Sequence, residues 1–347
     1  MTEQKKNLLS LDFDALRSFV ADLGWKPYRA DQILAWIYKR HVADIGAMTD
    51  LSMADRLQLS EKARLSHLKI HAHLKSNDGT EKFLFELEDG KQIECVLIRE
   101  AGRRTLCISS QAGCTLDCTF CLTAQEGLKR NLKAEEIVNQ FLTVQALLPE
   151  GEAMTNVVLM GMGEPLANLA AVREACTRMI APEGLQLAPR RITISTAGLV
   201  PQMEAFWKGP IPVNLSISLN ATTDAIRNRI MPKINKLYSL AMLMAACRRA
   251  KLPPRRIITF EYVVLAGVND SLEDADRLLQ LTQGIRCKVN LIPFNAFPGA
   301  PFQSSSKEQI LRFQNRLLQG KLRTTLRKSK GRDILAACGQ LNSRFVD

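Results

Sequence analysis

The chain has 347 residues, of which 46% are hydrophobic and 24% charged, and its formal net charge is +12. This length can bury one large core, and the composition excludes a disordered or fibrous chain. No apolar run reaches the roughly 20 residues of a membrane-spanning helix, and the polar N-terminus lacks a signal-peptide core. We therefore expect a cytoplasmic protein with no membrane partner. The positive charge favours an acidic partner, most simply nucleic acid.

Residues 1–75 are predicted to form a helical accessory domain. Three runs of apolar residues at helical spacing lie before residue 65, and Gly24 ends the first of them. Basic residues such as Arg29 and Arg40 lie among the apolar ones. These basic faces either pack against the rest of the protein or contact RNA, and the pattern supports both interpretations equally.

A β-hairpin extension is predicted over residues 76–104. Side chains alternate in Lys82–Leu87, Asp89-Gly90 is a strong hairpin-turn signal, and Gln92–Ile98 forms the returning strand. Glu94 lies within this apolar strand, where a glutamate either faces solvent or serves a site. The residue pattern alone favours solvent.

From residue 105 to residue 328, strands alternate with helices, which indicates a parallel sheet of the α/β class. A C-terminal tail, residues 329–347, follows. Chemistry collects at the C-terminal ends of strands in barrels and open α/β sheets. The predicted strands are Thr105–Ser109, Asn156–Met160, Arg191–Ser195, Val213–Leu219, Ile257–Leu265, Cys287–Ile292 and a further strand, Arg323–Arg327. The predicted helices include Ala134–Leu147, Leu169–Ile180, Leu237–Ala250 and Ser271–Thr282.

Three closely spaced cysteines, Cys114, Cys118 and Cys121, follow the first of these strands. Such thiolates select an iron–sulfur cluster, zinc or copper(I), but a closed zinc site needs four ligands and no fourth Cys or His lies nearby in sequence. Three thiolates on a four-iron cluster leave one iron open to a small molecule. With Phe120 before the last cysteine, the pattern resembles the signature of radical S-adenosylmethionine (SAM) enzymes. A structural zinc knuckle is the alternative.

This resemblance implies a partial (β/α)6 barrel, one [4Fe-4S] cluster on the three cysteines, and SAM bound to the open iron. After the second strand comes Gly161-Met162-Gly163-Glu164-Pro165, which resembles the segment that holds the amino group of SAM in this superfamily. Small polar residues at the other strand ends favour a bound ligand when they are taken as a set, whereas singly they are typical of helix caps and turns. The candidate SAM-binding residues are Gly163, Glu164, Ser195, Ser218, Leu219, Asn220 and Asn295.

Cys176 and Cys247 lie in predicted helices and Cys287 starts a predicted strand, so these three are most simply buried thiols. Two other cysteines differ from them. Cys107 lies on the first barrel strand, shortly before Cys114, and Cys338 lies beside Gly339 with basic residues close upstream. Nearby cations lower the pKa of a thiol and favour the nucleophilic thiolate, so Cys338 is a candidate reactive residue.

Several segments together resemble the RlmN/Cfr branch of the superfamily, which contains RNA adenine methyltransferases. Pro165 favours the RlmN side, because the Cfr side typically has alanine there. The resemblance spans about residues 10–345. The matching runs are Cys107–Cys114, Lys129–Leu132, Gly161–Asn168, Ile230–Pro232, Gly267–Ser271, Asn290–Asn295, Pro298–Pro301 and Ala336–Leu341.

The resemblance implies methylation of adenine C2 in two RNAs: an adenosine of 23S rRNA in the peptidyl-transferase centre, and the adenosine 3′ of the anticodon in a subset of tRNAs. It also implies two SAM molecules per turnover. One methylates Cys338 to S-methylcysteine, and the other yields a 5′-deoxyadenosyl radical that activates this methyl group. Cys107 then forms a transient disulfide with Cys338, and Glu94 becomes the expected proton acceptor.

Further expectations concern partners. A flavodoxin- or ferredoxin-type protein would supply single electrons, the protein would be a monomer, and the basic stretches Arg248–Arg256 and Lys321–Arg332 suit RNA phosphates.

The chain departs from the RlmN pattern at Asn220, where an amide donor replaces the usual histidine. Two alternatives remain: a Cfr-type C8 methyltransferase and a non-catalytic RNA-binding protein stabilised by a metal.

Overall fold

The structure, a computed structural model, describes residues 5–254 and 256–342. The strands are, in chain order, β1 (Lys6–Asn7), β2 (Ala63–Arg64), β3 (Lys69–Lys75), β4 (Glu81–Glu86), β5 (Gln92–Glu100), β6 (Arg103–Cys107), β7 (Gln111–Gly113), β8 (Leu128–Asn131), β9 (Asn156–Leu159), β10 (Ile192–Thr196), β11 (Asn214–Ser218), β12 (Ile258–Val264), β13 (Cys287–Pro293) and β14 (Thr324–Leu326).

The helices are α1 (Phe13–Asp22), α2 (Tyr28–Tyr38), α3 (Met53–Lys62), α4 (Leu122–Gln125), α5 (Ala134–Ala146), α6 (Leu169–Ile180), α7 (Val200–Lys208), α8 (Asp224–Ile230), α9 (Pro232–Leu237), α10 (Leu240–Arg249), α11 (Leu272–Thr282) and α12 (Lys307–Gln319). Several begin at an Asp, Ser or Thr whose side-chain oxygen accepts a backbone N–H of the first turn, which explains why they start there. These caps are Asp12, Ser52, Thr223, Ser239, Ser271 and Ser306.

One sheet of ten strands organises the molecule, in the order β14-β13-β12-β11-β10-β9-β6-β5-β4-β3. From β6 to β14 the neighbouring strands are parallel, whereas β3, β4, β5 and β6 pair antiparallel. The predicted α/β alternation is therefore confirmed, and every predicted strand is present with small differences at its ends. The parallel strands all end at one edge, where the cysteine triplet follows β6.

The predicted hairpin is present as β4 and β5, joined through Gly90 at φ +76°. The structure corrects one boundary: Lys69–Lys75, which the sequence analysis placed in the helical accessory domain, is strand β3 and pairs with β4. Exposed and half-buried positions alternate along it, and this period-two pattern is that of an edge strand. The short parallel pair β1–β2 within the otherwise helical residues 6–65 was also not predicted.

The core runs without interruption from the N-terminal helices to the barrel strands. Strand β12 is buried at five of its seven positions, as expected for a parallel strand covered on both faces. No helix within residues 5–254 and 256–342 is both long and apolar enough to cross a bilayer.

Candidate active site

The cysteine loop, residues 113–121, leaves β7 through Gly113. The φ angle there is +77°, and a Cβ atom would lie 1.9 Å from the carbonyl oxygen of Gly127, so only glycine fits. The backbone N–H of Lys233 donates to Asp117 Oδ1 at 3.0 Å. Contacts from other parts of the chain thus hold the loop in place.

A cavity of about 160 Å³ is lined by Cys114, Cys118 and Cys121. Within the described part of the chain, no three His, Cys, Asp or Glu side chains converge on a single metal-ion position. The three thiols therefore border a common space and do not close around one ion. Burial raises the pKa of each thiol, for Cys114 to about 12.

The segment after β9 forms a second wall of this cavity. Gly163 has φ +102°, and a Cβ atom there would lie 2.6 Å from the Gln111 Cβ atom. Glu164 is 3% exposed, and its carboxylate accepts the backbone N–H of Leu166 at 3.0 Å and of Ala197 at 2.7 Å. Burial raises the pKa of Glu164 to about 7, although these hydrogen bonds oppose the shift.

Most of the predicted SAM-binding residues line the same cavity. These are Gly163, Glu164, Ser195, Ser218, Asn220 and Asn295. Leu219 differs, because its side chain is buried in the core and its backbone N–H donates to the Glu261 carbonyl at 3.0 Å. The Asn220 side-chain oxygen accepts the backbone N–H of Val263 at 2.8 Å, so this amide also ties β11 to β12.

The tail brings Cys338 to the cavity, although this residue is far from the cysteine loop in sequence. Cys338 is exposed and lines both this cavity and a larger one that Cys107 also borders. Both are free thiols. Burial raises the pKa of Cys107 to about 12, and the proximity of Cys338 adds to this effect.

Glu94 faces the interior, against the expectation from the residue pattern alone. It is 1% exposed, and its carboxylate pairs with Lys82 Nζ at 2.9 Å and accepts the backbone N–H of Asn342 at 2.8 Å. Burial raises the pKa of Glu94 to about 6, while the Lys82 ammonium opposes the shift. Lys82 was not predicted as a site residue. The signal for it in the sequence is its position on β4, where an apolar side chain would be expected.

Two charged residues of the cavity wall were also missed as site residues. Glu261 on β12 is 3% exposed, and its Oε2 atom has no hydrogen-bond partner among residues 5–254 and 256–342. Arg327 Nη1 lies 3.9 Å from that atom. A charged residue in the middle of an apolar strand is the signal that could have identified Glu261.

The larger cavity, of about 820 Å³, shares lining residues such as Cys338 and Arg327 with the first one, and most of its charged lining residues are basic. Its basic lining residues are Arg103, Arg190, Arg256, Lys288, Arg323, Arg327, Lys328 and Lys330. The predicted stretch Lys321–Arg332 therefore contributes several of them. From the stretch Arg248–Arg256, Arg256 lines the cavity, Arg249 pairs with Glu204 at 2.6 Å, and Arg255 lies outside the described residues.

The residues present fit a cluster with SAM beside it. Three soft thiolates are the donor set that an iron–sulfur cluster requires. Within the described residues, the buried Glu261 Oε2 and Asn295 Oδ1 atoms accept no hydrogen bond, and as atoms of lining residues they can accept one from amino or hydroxyl groups of a ligand. Gly163 leaves open the space that a side chain would fill.

Comparison with known proteins agrees with this arrangement. The chain matches the family model of the ribosomal RNA large subunit methyltransferase N-terminal domain over residues 6–65 and that of the radical SAM superfamily over residues 108–279. It is 51% identical to the dual-specificity RNA methyltransferase RlmN of Geobacter sulfurreducens, over 98% of this chain and 92% of the relative. A protein of the same name from Pelobacter propionicus is 48% identical over 99% of this chain and 98% of the relative.

A solved structure shows the same fold. The crystal structure of a radical SAM methyltransferase from Sphaerobacter thermophilus aligns with a TM-score of 0.93 at 41% identity, covering 98% of this chain and 100% of that chain. The predicted radical SAM fold is thereby confirmed, and a [4Fe-4S] cluster and SAM are the cofactors of this superfamily. The chain belongs to the RlmN family of radical SAM enzymes.

Proposed function

We propose that the protein methylates C2 of adenosine in RNA, at one position of 23S rRNA and at the adenosine 3′ of the anticodon in a subset of tRNAs. The observation that carries this proposal is that Cys338 lines the same cavity as the cysteine triplet. A sulfur in this position can hold a methyl group next to the cluster site. Adenine C2 is electron-poor, so ordinary displacement of a methyl group from SAM does not alkylate it.

Cys114, Cys118 and Cys121 would hold the cluster, and the strand-end residues would hold SAM. When bound, these cofactors supply a methyl group and the one-electron chemistry that activates it, which side chains alone cannot provide. The Glu164 carboxylate suits the cationic amino group of SAM, because an opposite charge stabilises a buried carboxylate.

Three residues of the chain handle the methyl group and the protons. Cys338 Sγ accepts the methyl group as a thioether. After its carbon is bonded to RNA, Cys107 Sγ attacks the Cys338 sulfur, so that an S–S bond forms and the C–S bond breaks. The electron pair of the C–S bond stays with the carbon, which takes up a proton and becomes the methyl group of the released RNA. A thiol reductant then returns the disulfide to two thiols. The high pKa of Cys107 means that its thiol must lose a proton at that step. Glu94 accepts the proton from adenine C2.

The larger cavity supports RNA as the substrate. Its basic lining residues suit phosphates, and its volume of about 820 Å³ leaves room for an extruded nucleotide to approach Cys338. The target base must leave its stack to enter, since Cys107 and Cys338 line a cavity that a stacked base cannot reach.

The proposed reaction also needs an electron donor and a role for each domain of the chain. A flavodoxin- or ferredoxin-type protein supplies electrons, and the enzyme acts as a monomer. Residues 1–68 serve as the accessory domain, the hairpin extension carries Glu94, and the tail carries the methyl-accepting thiol.

The test is to reconstitute the cluster without oxygen and incubate the enzyme with SAM, a reductant and either 23S rRNA or tRNA. The RNA is then digested to nucleosides and analysed by mass spectrometry. We expect 2-methyladenosine. A product methylated at C8 would instead assign the Cfr-type reaction, and RNA that is bound but unmodified would support a non-catalytic binding protein.

A further inference from the structure

The turn between β3 and β4, residues 76–80, contacts the C-terminal tail through two aspartates. Ser76 Oγ donates to Asp333 Oδ1 at 2.6 Å, and the Asn77 N–H donates to Asp333 Oδ2 at 3.1 Å. In the opposite direction, the Gly331 N–H donates to Asp78 Oδ2 at 3.0 Å. One carboxylate of the turn and one of the tail thus each accept hydrogen bonds from the other segment. Hydrogen bonds to a charged acceptor are stronger than those between neutral groups.

Close packing accompanies these hydrogen bonds. Gly331 has φ +65°, and a Cβ atom there would lie 2.8 Å from Ala336 Cβ and 3.0 Å from Thr80 Cγ2. Thr80 is fully buried. The turn and the tail therefore fit each other only with glycine at this position.

A second junction lies deeper in the hairpin. Lys82 Nζ, which is ion-paired with Glu94, also donates to the Leu335 carbonyl at 3.4 Å. Glu94 in turn accepts the backbone N–H of Asn342. The hairpin thus contacts the tail on both sides of Cys338 along the chain.

The other side of the tail is attached to the barrel. The N–H of Leu122, next to the cysteine triplet, donates to the Gly339 carbonyl at 2.8 Å, and Thr123 Oγ1 donates to the Leu341 carbonyl at 2.6 Å. Asn295 Nδ2 donates to the Cys338 carbonyl at 3.2 Å. Cys338 is therefore held between the hairpin and the start of α4.

We propose that the 76–80 turn is a dock for the C-terminal tail, and that Asp78 and Asp333 are positioning residues that keep Cys338 at the cavity. None of residues 76–80 lines either of the two cavities described above, so we take the contribution of this turn to be the placement of the tail. The consequence for catalysis rests on the proposed function, but the docking itself does not.

The test compares the wild-type protein with Asp333→Ala and, as a matched control, Arg332→Ala. The exposed Arg332 side chain adjoins Asp333 but forms no hydrogen bond or ion pair with another described residue. Hydrogen exchange followed by mass spectrometry reports on peptides that cover residues 331–342. We expect exchange there to be about tenfold faster in Asp333→Ala and unchanged in Arg332→Ala. Alkylation of Cys338 by iodoacetamide should accelerate in parallel, while the midpoint of thermal unfolding stays near that of the wild type.

Asp78→Asn provides a second, independent variant. The amide oxygen preserves the acceptor for the Thr80 N–H within the turn, while the charge facing the tail is lost. We therefore expect hydrogen exchange in residues 331–342 to be faster than in the wild type, but by less than in Asp333→Ala. Tail exchange that matches the wild type in both variants would overturn the dock.

These measurements need no iron, SAM or RNA, so they separate the two proposals. Faster tail exchange in Asp333→Ala together with no RNA methylation by the wild type would support the dock and refute the proposed function. Unchanged exchange together with active wild-type enzyme would refute the dock alone. If the dock and the proposed function are both correct, Asp333→Ala should lower the fraction of Cys338 that carries a methyl group, as measured by the intact mass of the protein.

Discussion

At the scale of single residues, burial sets the chemistry of Glu94. A carboxylate removed from water is harder to ionise, and the Lys82 ammonium at 2.9 Å offsets part of that cost. The folded-state pKa of about 6 lies above the ordinary value of 4.5. The contribution of Glu94 to the free energy of unfolding is therefore fully present below pH 4.5 and is lost as the pH rises through 6. In the proposed function Glu94 is the proton acceptor and must be ionised, so we expect the same residue to link activity to pH.

We expect Lys82→Met to raise the pKa of Glu94, because it removes the cation that stabilises the carboxylate. The acidic limb of the pH–rate profile for RNA methylation, near pH 6 in the wild type, should move to higher pH. Lys75→Met, on the exposed edge strand, is the control and should leave the midpoint in place. A Lys82→Met profile with an unshifted acidic midpoint would contradict this link.

The proposed function gives Cys107 and Cys338 roles that mutation can separate. Cys338→Ala should abolish methylation of RNA while the cluster still assembles, since the triplet is intact. Iron content and absorbance near 400 nm, compared with nucleoside mass spectrometry, check this expectation. Robust methylation by the variant would remove Cys338 from the reaction.

Cys107→Ala should instead trap RNA on the protein, because no second thiol releases the carbon from the Cys338 sulfur. The adduct would appear as a slowly migrating band in denaturing gels that disappears after nuclease treatment. Normal turnover by this variant would show that another group resolves the intermediate.

At the scale of elements, glycines allow two loops to meet at the cavity. Gln111 connects them: its Oε1 atom accepts the N–H of Glu164 at 2.9 Å and of Thr115 at 3.3 Å. Gly163 lies against this side chain, so the segment after β9 and the cysteine loop form one packed unit.

Gly163→Ala should break this unit, because a Cβ atom 2.6 Å from Gln111 Cβ forces the two loops apart. Gly151→Ala is a matched control, since Gly151 has φ +81° but nothing within 4 Å of the added atom. The control should lose about 1 kcal/mol of unfolding free energy from backbone strain alone. Gly163→Ala should lose more, and should also retain less iron after reconstitution; equal losses in the two variants would contradict the proposed contact.

At the scale of the whole molecule, the net charge of +12 becomes informative only where the fold concentrates it. Basic residues from the starts of several barrel strands meet at the larger cavity, although they are distant in sequence. Repulsion among these like charges is relieved when an anion binds, and phosphates of RNA are the anions that the proposed function requires.

Substitution of Lys288 and Arg323 by glutamine should weaken RNA binding and make it less dependent on salt. Each phosphate contact that is lost should reduce the slope of log affinity against log salt by about one. Lys208→Gln, at the exposed end of α7, removes one positive charge outside this cavity and should leave the slope unchanged. Identical slopes in all variants would exclude this cavity as the RNA path.

Local information was sufficient for much of this protein. The spacing of Cys114, Cys118 and Cys121 indicates a cluster without any knowledge of the fold, because ligand spacing is a property of a short loop. Alternating apolar strands and helices likewise predict the parallel sheet, since each element must bury one face.

Only the tertiary structure decided which distant residues share the site. In the folded chain Glu94 faces the interior and pairs with Lys82 on the neighbouring strand. Glu261 and Cys338, which are far apart in sequence, line the same cavity. The tertiary structure also showed that Lys69–Lys75 extends the sheet. These features depend on which strand lies beside which and on where the tail crosses them, and such contacts leave no periodic signal in a single sequence.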